Sequence, residues 1–290
     1  MKTLRESLAD AETRGVALGH FNISNIEGLH GVWNAAYALK LPVVIGVSEG
    51  ERDFIGLKQV VALVRSFREE YEEYPIFLNA DHTYSVDRVK EAIDAGFDSV
   101  IFDGAELSLA ENIAKAKECV AYARACGRDV LIEGELGFIG KSSKLLDEVP
   151  EGAAQNAESF TSPEEAAQFV KETGVDLLAP AVGNIHGMLK HSKDPHLDIP
   201  RVKAIREKAG VPLVLHGGSG TPDEDFVAAI KAGMPMVHIS TELRVAFRDA
   251  VKLSLQENPE EVAPYKIMKS AVSAIESAAS SRLKLFNGIL

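Results

Sequence analysis

Along the chain, short runs of apolar and β-branched residues alternate with longer segments whose apolar positions recur every three or four residues. The short runs read as strands and the longer ones as amphipathic helices, so the alternation predicts repeated βα units. Strand candidates are "VALGHFN" (16–22), "PVVIGVS" (42–48), "PIFLNAD" (75–81), "SVIFDG" (99–104), "DVLIEGE" (129–135), "DLLAPAVG" (176–183), "PLVLHGG" (212–218) and "PMVHIS" (235–240). A helical segment follows each, among them "IEGLHGVWNAAYALK", "GLKQVVALVRSFREEYEE" and "ENIAKAKECVAYARACG". The strand runs are continuously apolar, as strands covered on both faces must be. Eight such repeats predict an α/β fold, a closed (β/α)8 barrel (TIM barrel) in preference to an open doubly wound sheet.

The length of 290 residues suits one such barrel, so residues 1–290 are expected to form a single domain. Past the eighth helix, "APYKIMKSAVSAIESAASSRLKLFNG" predicts an additional C-terminal helix over about residues 260–286, for packing or subunit contact. The longest irregular stretch, residues 140–159, exceeds an ordinary βα connection and is a candidate active-site lid.

Charge narrows the range of partners. A formal net charge of -12 and a pI near 5.2, without clustered Lys or Arg, argue against nucleic acid and against an anionic membrane surface. The start, "MKTLRESLADAETRG", has no signal-peptide core, and no long uninterrupted apolar run occurs, so a cytoplasmic location is expected. Cys119 and Cys126 lack CxxC spacing and read as small buried hydrophobes. Any metal must therefore be held by His, Asp and Glu.

In a barrel of this kind the active site lies at the C-terminal strand ends. Those ends carry Asn22, Ser48, Asp81, His82, Asp103, Glu133, Glu135, Asn184, His186, His216, Ser219, His238, Ser240 and Thr241. Of the 8 histidines, His82, His186 and His216 follow three different strands, a donor set that suits a catalytic Zn²⁺ with an open position. His20, His30, His191 and His196 lack a comparable setting, and the last two, in "KHSKDPHLD", are expected at the surface. Asp81 precedes His82 directly, so both face one site only if the strand has ended and the loop re-aims one of them. A carboxylate there suits proton transfer, while Asp103 and Glu135 suit a second cation, divalent or monovalent, or the orientation of the imidazoles. In "AVGNIHGMLK" and "LHGGSGTP", Gly187, Gly217 and Gly218 let backbone amides approach an anion, with Ser219 and Thr241 as hydroxyl donors and Lys190 as a nearby cation. "TPDE" at 221–224 reads as a capping box with proline at the first helical position, which leaves the anion to the amides of residues 217–219.

These residues sit in motifs spread along nearly the whole chain: "FNISN", "ADH" (80–82), "SVIFDGAELSLAENI" (99–113), "EGELG" (133–137), "GNIHG" (183–187), "LHGGSG" (215–220) and "HISTEL" (238–243). Together they resemble the class II, metal-dependent fructose- and tagatose-bisphosphate aldolases. The resemblance implies that His82, His186 and His216 bind the catalytic zinc and that Asp81 transfers the proton. It implies a second metal position at Asp103 and Glu135, and contacts to the phosphate of dihydroxyacetone phosphate from Gly187, Lys190, Gly217, Ser219 and Thr241. Asn22 and Ser48 match polar positions near the substrate, and Arg282 lies near where some members send a basic residue towards a phosphate. The implied substrate is a small sugar bisphosphate, and the implied assembly a homodimer or homotetramer.

The chain departs from the family pattern at two places. His238 stands where Asn is usual, with Ser240 nearby where Asp or another small residue is usual, which makes both candidate contacts of the reacting fragment. The lid, "ELGFIGKSSKLLDE", lacks the usual glycine pair and sets its acidic residues later, which makes Glu148 the candidate second proton donor. The chemistry agrees with the motifs: breaking a carbon–carbon bond beta to a carbonyl leaves an enediolate that a Lewis acid can stabilise, and the strand ends offer no Schiff-base lysine. The leading expectation is reversible cleavage of fructose 1,6-bisphosphate to dihydroxyacetone phosphate and glyceraldehyde 3-phosphate, a step of glycolysis and gluconeogenesis, with tagatose 1,6-bisphosphate as the near alternative. A metal-dependent sugar-phosphate isomerase or epimerase, and a non-catalytic sugar-phosphate-binding barrel, are the readings from other classes.

Overall fold

A computed structural model describes every residue except Met1, Glu73, Ser142, Ala154, Gln155, Ala157 and Leu290. Four of these, Ser142, Ala154, Gln155 and Ala157, belong to the candidate lid, which to that extent lies outside the described residues. Helix α1 (Leu4–Arg14) precedes the first repeat; β1 (Leu18–Asn22), α2 (Ile26–Leu39), β2 (Val43–Val47), α3 (Glu49–Ile55), α4 (Leu57–Glu70), β3 (Ile76–Thr83), α5 (Val86–Ala95), β4 (Ser99–Phe102), α6 (Leu109–Ala125) and β5 (Leu131–Leu136) follow. The second half comprises β6 (Leu145–Leu146), α7 (Pro163–Thr173), β7 (Leu177–Pro180), β8 (Met188–Leu189), α8 (Ile199–Ala209), β9 (Val214–Leu215), α9 (Asp223–Lys231), β10 (Met236–Ile239), α10 (Thr241–Glu257) and α11 (Pro264–Phe286).

Eight strands form one parallel sheet in the order β7-β5-β4-β3-β2-β1-β10-β9. A parallel bridge between Leu178 and Leu213 joins the two edge strands and closes the (β/α)8 barrel. Among the described residues the two remaining strands, β6 and β8, pair with each other, so the lid is tied to the loop that follows β7. Several helices start where the sequence supplies a hydroxyl or amide cap: Thr3, Asn25, Ser85, Ser108 and Ser162 each accept a hydrogen bond from the third helical N–H.

The strands are apolar on both faces only at their starts. Leu18, Val44, Phe77, Leu131, Leu177, Val214 and Met236 form one buried cluster with Leu4, Leu8 and Ala11 of α1, which plugs the barrel's N-terminal end. Two residues further along, the same faces carry His20, Asn79, Glu133, His216 and His238, all buried. Because side chains alternate with period two, five of the eight barrel strands bury an apolar residue at the bottom and a polar one at the top. The outward faces pack against the helical ring in a second, larger cluster.

Two strands end earlier than the sequence suggests. Instead of 212–218 the seventh barrel strand is only Val214–Leu215, because Gly217 turns at φ 61, where a Cβ would sit 2.1 Å from Ile185 O. Instead of 176–183 the sixth is Leu177–Pro180. The expected capping box at 221–224 does not form either: α9 starts at Asp223 with Pro222 in the cap position and no side-chain cap. Cys119 is buried as expected, whereas Cys126 is partly exposed at the end of α6.

Helix α11 lies against α2 and α10 and buries Ala271, Ile275, Ala279, Leu283 and Phe286. The two helices leave no room for a side chain at Gly31, where a Cβ would stand 2.7 Å from Ile275 and 2.9 Å from the backbone oxygen of Val272. Gly31→Ala should therefore push the two helices apart and destabilise the protein by about 1–3 kcal/mol, by the usual cost of overpacking. Thermal unfolding checks this; an unchanged Tm would show that α11 yields without cost.

Candidate metal centre and active site

The site starts from a backbone irregularity. Pairing of β3 with β4 slips between Ala80 and Thr83, and His82 adopts φ 33, in the left-handed region that non-glycine residues rarely enter. The kink re-aims one of two consecutive side chains, so Asp81 and His82 both line the same cleft. Arg52 of α3, 1% exposed, braces it. Its Nη1 donates to Val47 O at 3.1 Å and Asp81 O at 3.3 Å, and its Nη2 to the Thr83 hydroxyl at 3.1 Å.

His82, His186 and His216 converge, each offering a ring nitrogen within 4.8 Å of the others. Their remaining nitrogens are anchored. His82 Nδ1 donates to Asp103 Oδ2 at 2.9 Å, with Glu135 Oε2 at 3.3 Å. His186 Nδ1 donates to Gly140 O at 2.5 Å, and His216 Nε2 is hydrogen-bonded to Glu133 Oε1 at 2.7 Å. Asn184, another strand-end residue, donates to His216 O at 3.0 Å. His82 Nε2 and His216 Nδ1 then face each other at 3.2 Å. Three imidazoles oriented by carboxylate and carbonyl partners, each with a ring nitrogen within 4.8 Å of the others, suit a divalent transition metal. One oxygen on each of the buried Asp81, Glu133 and Glu135 makes no hydrogen bond, which leaves acceptor capacity beside the three imidazoles. Asp103 and Glu135 also face a side pocket with Tyr84 and Phe138, and with His82 they form a second possible cation cluster.

The charges explain the titration behaviour. Burial opposes ionisation of Asp81, yet His82, His238 and His20 together hold its pKa well below 3.8. Burial also opposes protonation of His82, but Asp81, Glu135 and Asp103 hold its pKa well above 6.5. Burial, reinforced by Asp81 and Glu135, raises Glu133 well above its ordinary value, and burial with Asp103 raises Glu135 to about 7. Burial and the neighbouring His82 lower His186 to about 4. His20, which no sequence pattern placed here, is fully buried and stacks on His238 with centroids 3.4 Å apart. His238 Nδ1 in turn stands 3.4 Å from Asp81 Oδ1.

Asn22, Gly187, Gly217, Gly218, Ser219, Ser240 and Thr241 line the cleft with these groups. The Gly218 N–H is already given to His238 O at 3.2 Å, and Ser219 Oγ accepts from the N–H groups of Ser240 and Glu242 at 3.3 and 3.2 Å. Ser219 thus joins the loop after β9 to the N-terminus of α10, and the positive end of α10 faces the cleft beside Thr241. Ser48 lies further out, in a neighbouring lobe with Glu49, Tyr84, Lys141, Ser143 and Arg244.

Three expected residues lie elsewhere. Lys190, just after β8, pairs with Asp147 at 2.8 Å and is absent from the cleft lining. Glu148 is exposed in the lid and is likewise absent from it. Arg282 donates to both oxygens of Glu242 and to Asp223, with its guanidinium over Phe226, so it braces α10 rather than facing the cleft. The cations that do line the outer lobe are Lys141, in the lid, and Arg244, one turn into α10. Arg244 stands three residues beyond Thr241, so it was findable as the next same-face position of a helix entering the site. Lys141 carried no such signal.

A family model described as "Fructose-bisphosphate aldolase class-II" matches residues 2–289. The fructose-bisphosphate aldolase of Geobacillus stearothermophilus is 36% identical over 286 residues, covering 98% of this chain and 96% of that protein. The 6-phospho-5-dehydro-2-deoxy-D-gluconate aldolase of Shouchella clausii (strain KSM-K16) is 35% identical over 282 residues, covering 96% and 92%. Among solved structures, the YdjI aldolase from Escherichia coli K12 superposes with a TM-score of 0.81 at 30% identity, covering 98% of this chain and 96% of that one.

The geometry predicts one tight transition-metal site per chain. Adding a divalent transition metal to metal-free protein should raise the melting temperature, with a gain of about 4 kcal/mol when free metal reaches about 1,000 times Kd. His82→Ala, His186→Ala and His216→Ala should each lose most of that rise and most of the bound metal. Equal metal content in wild type and all three variants would disprove the site.

Proposed function

Because the chain belongs to the class II fructose-bisphosphate aldolase family, we propose that it is a zinc-dependent lyase that reversibly cleaves fructose 1,6-bisphosphate to dihydroxyacetone phosphate and glyceraldehyde 3-phosphate. The observation that carries the reading is the kinked end of β3, which turns Asp81 and His82 into one cleft with His186 and His216. His82, His186 and His216 would hold the zinc, with Asp103 and Glu135 orienting His82 or holding a second cation. When bound, zinc supplies Lewis acidity at the carbonyl end of the ketose.

The remaining work falls to side chains. Asp81, kept ionised by its histidine neighbours, accepts the C4 hydroxyl proton. As C4 becomes an aldehyde, the C3–C4 bond breaks and its electron pair stays on C3, which then takes up a proton. His238, 3.4 Å from Asp81, faces the same cleft and can donate a hydrogen bond to the developing charge. The N-terminus of α10, with Ser219, Thr241 and the Gly187 and Gly217 turns, would bind the C1 phosphate. Ser48, Lys141 and Arg244 would receive the C6 phosphate in the outer lobe.

A second reading follows from that lobe, because two cations receive a carboxylate as readily as a phosphate. A substrate ending in a carboxylate, as the name of the Shouchella clausii relative describes, would fit the same arrangement. Comparing kcat/KM for fructose 1,6-bisphosphate, tagatose 1,6-bisphosphate and 6-phospho-5-dehydro-2-deoxygluconate decides among them. Two three-carbon products exclude an isomerase, and binding without cleavage of any ketose phosphate would mark a non-catalytic barrel. Activity that survives exhaustive chelation would overturn the metal chemistry. Asp81→Ala should lower kcat by about 10²–10⁴, the range for loss of a positioned general base, with metal content unchanged; an undiminished kcat would remove Asp81 from the mechanism.

A further inference from the structure

Helix α3 carries no metal ligand, yet one of its carboxylates is wired to the reacting group. Glu51 is 7% exposed. Its Oε2 accepts from the Ser48 N–H at 2.8 Å, the Ser48 hydroxyl at 2.9 Å and Asn22 Nδ2 at 3.0 Å. Its Oε1 accepts from Arg244 Nη2 at 2.7 Å. Asn22 Nδ2 spends its other hydrogen on Asp81 Oδ2 at 2.8 Å.

We propose that Glu51 is a positioning residue for proton transfer at Asp81, acting through Asn22. The inference rests on the reading of Asp81 given above. An amide whose two N–H bonds both end on carboxylates cannot flip, because the flipped form would set its oxygen against two acceptor-only groups. With Asn22 locked, Oδ2 of Asp81 is tethered and Oδ1 is left towards His238 and His82, at 3.4 and 3.8 Å. The carboxylate is thereby held in one rotamer, and geometry of this kind controls proton-transfer rates steeply. Arg244 fixes the other oxygen of Glu51, so the chain of contacts runs from α10 through α3 and β1 to the end of β3.

Glutamine at position 51 cannot reproduce this pattern. It can accept from Asn22 and Ser48 only by turning its NH2 towards Arg244, or accept from Arg244 only by turning the NH2 towards Asn22 and Ser48. The test compares wild-type and Glu51→Gln holoenzyme in two assays. One is steady-state cleavage of the ketose bisphosphate that the wild type prefers. The other is exchange of solvent deuterium into dihydroxyacetone phosphate alone, a partial reaction with no C4 hydroxyl and so no use for Asp81. Glu51→Gln should lower kcat for cleavage about tenfold or more, change KM less than about threefold, and leave the exchange rate within about twofold, the pattern of a lost transition-state contact. Adding Glu51→Gln to Asn22→Ala should cost little beyond Asn22→Ala alone, since both act through one contact chain.

An unchanged kcat, an exchange rate that falls in parallel with cleavage, or fully multiplicative losses in the double variant would each overturn the proposal. If Glu51→Gln does not fold, Glu51→Asp, which keeps the charge but withdraws it by one methylene, carries the same expectations. A wild type that cleaves no ketose phosphate would overturn the parent reading and this one together. A wild type that cleaves, with Glu51→Gln equal to it in kcat, would overturn this one only.

Discussion

Two consecutive residues of a β-strand cannot both face the inside of a barrel, and the site depends on breaking that rule at Asp81 and His82. The break is the left-handed backbone of His82 together with the slipped pairing of β3. A non-glycine residue held there costs about 1–3 kcal/mol, so the surrounding structure must impose it. Arg52 does so from beneath by tying the end of β2 to the backbone of Asp81 and the hydroxyl of Thr83. The arginine itself is almost fully buried, with Glu49 at 4.0 Å as its carboxylate partner. Strain, buried charge and the convergence of two functional side chains are thus one local arrangement.

The same economy governs the barrel interior. A closed barrel of eight strands fills its centre with side chains, and here the filling changes from apolar at the α1 end to ionisable at the opposite end. Burying Asp81, Glu133 and Glu135 so close together would be prohibitive without opposite charge. Part of it comes from His82, and the rest is the positive charge that a cation among the three imidazoles would bring. Burial, with the neighbouring carboxylates, pushes the carboxyl groups of Glu133 and Glu135 above their ordinary values, so this pocket favours their neutral form unless positive charge is brought in.

How much of this was legible in the sequence follows from the range of each signal. Periodicity and polar strand ends are local, and they located the eight repeats and most of the cleft lining, including the junction at Asp81 and His82. His20 was missed because it lies mid-strand, where one histidine looks like any other inward residue until the barrel closes and brings His238 against it. Glu51 and Arg52 were missed because "SEGER" reads as the ordinary start of a helix, and Glu51 does turn back onto Ser48 as a cap residue would. Lys190 was chosen as the cation nearest the glycine motif, but just past β8 it pairs with Asp147 in the lid. Whether a loop lysine such as Lys190 or Lys141 faces the cleft depends on the path of the lid and of the loop after β7, which no local pattern encodes.

Arg282 shows why proximity in a motif map is a weaker guide than charge balance. Glu242 sits in the first turn of α10, where its oxygen accepts the Gly220 N–H at 3.1 Å and fixes the loop after β9. A bare carboxylate there would weaken the helix end as an anion site. Arg282 meets both of its oxygens at 2.7 and 2.8 Å. Burial opposes the arginine's charge, but Glu242 and Asp223 hold its pKa above the ordinary value, so Arg282 sets a full positive charge against that carboxylate. Glu242 can therefore shape the loop without repelling an anion, and α11 contributes to that end of the cleft without reaching into it.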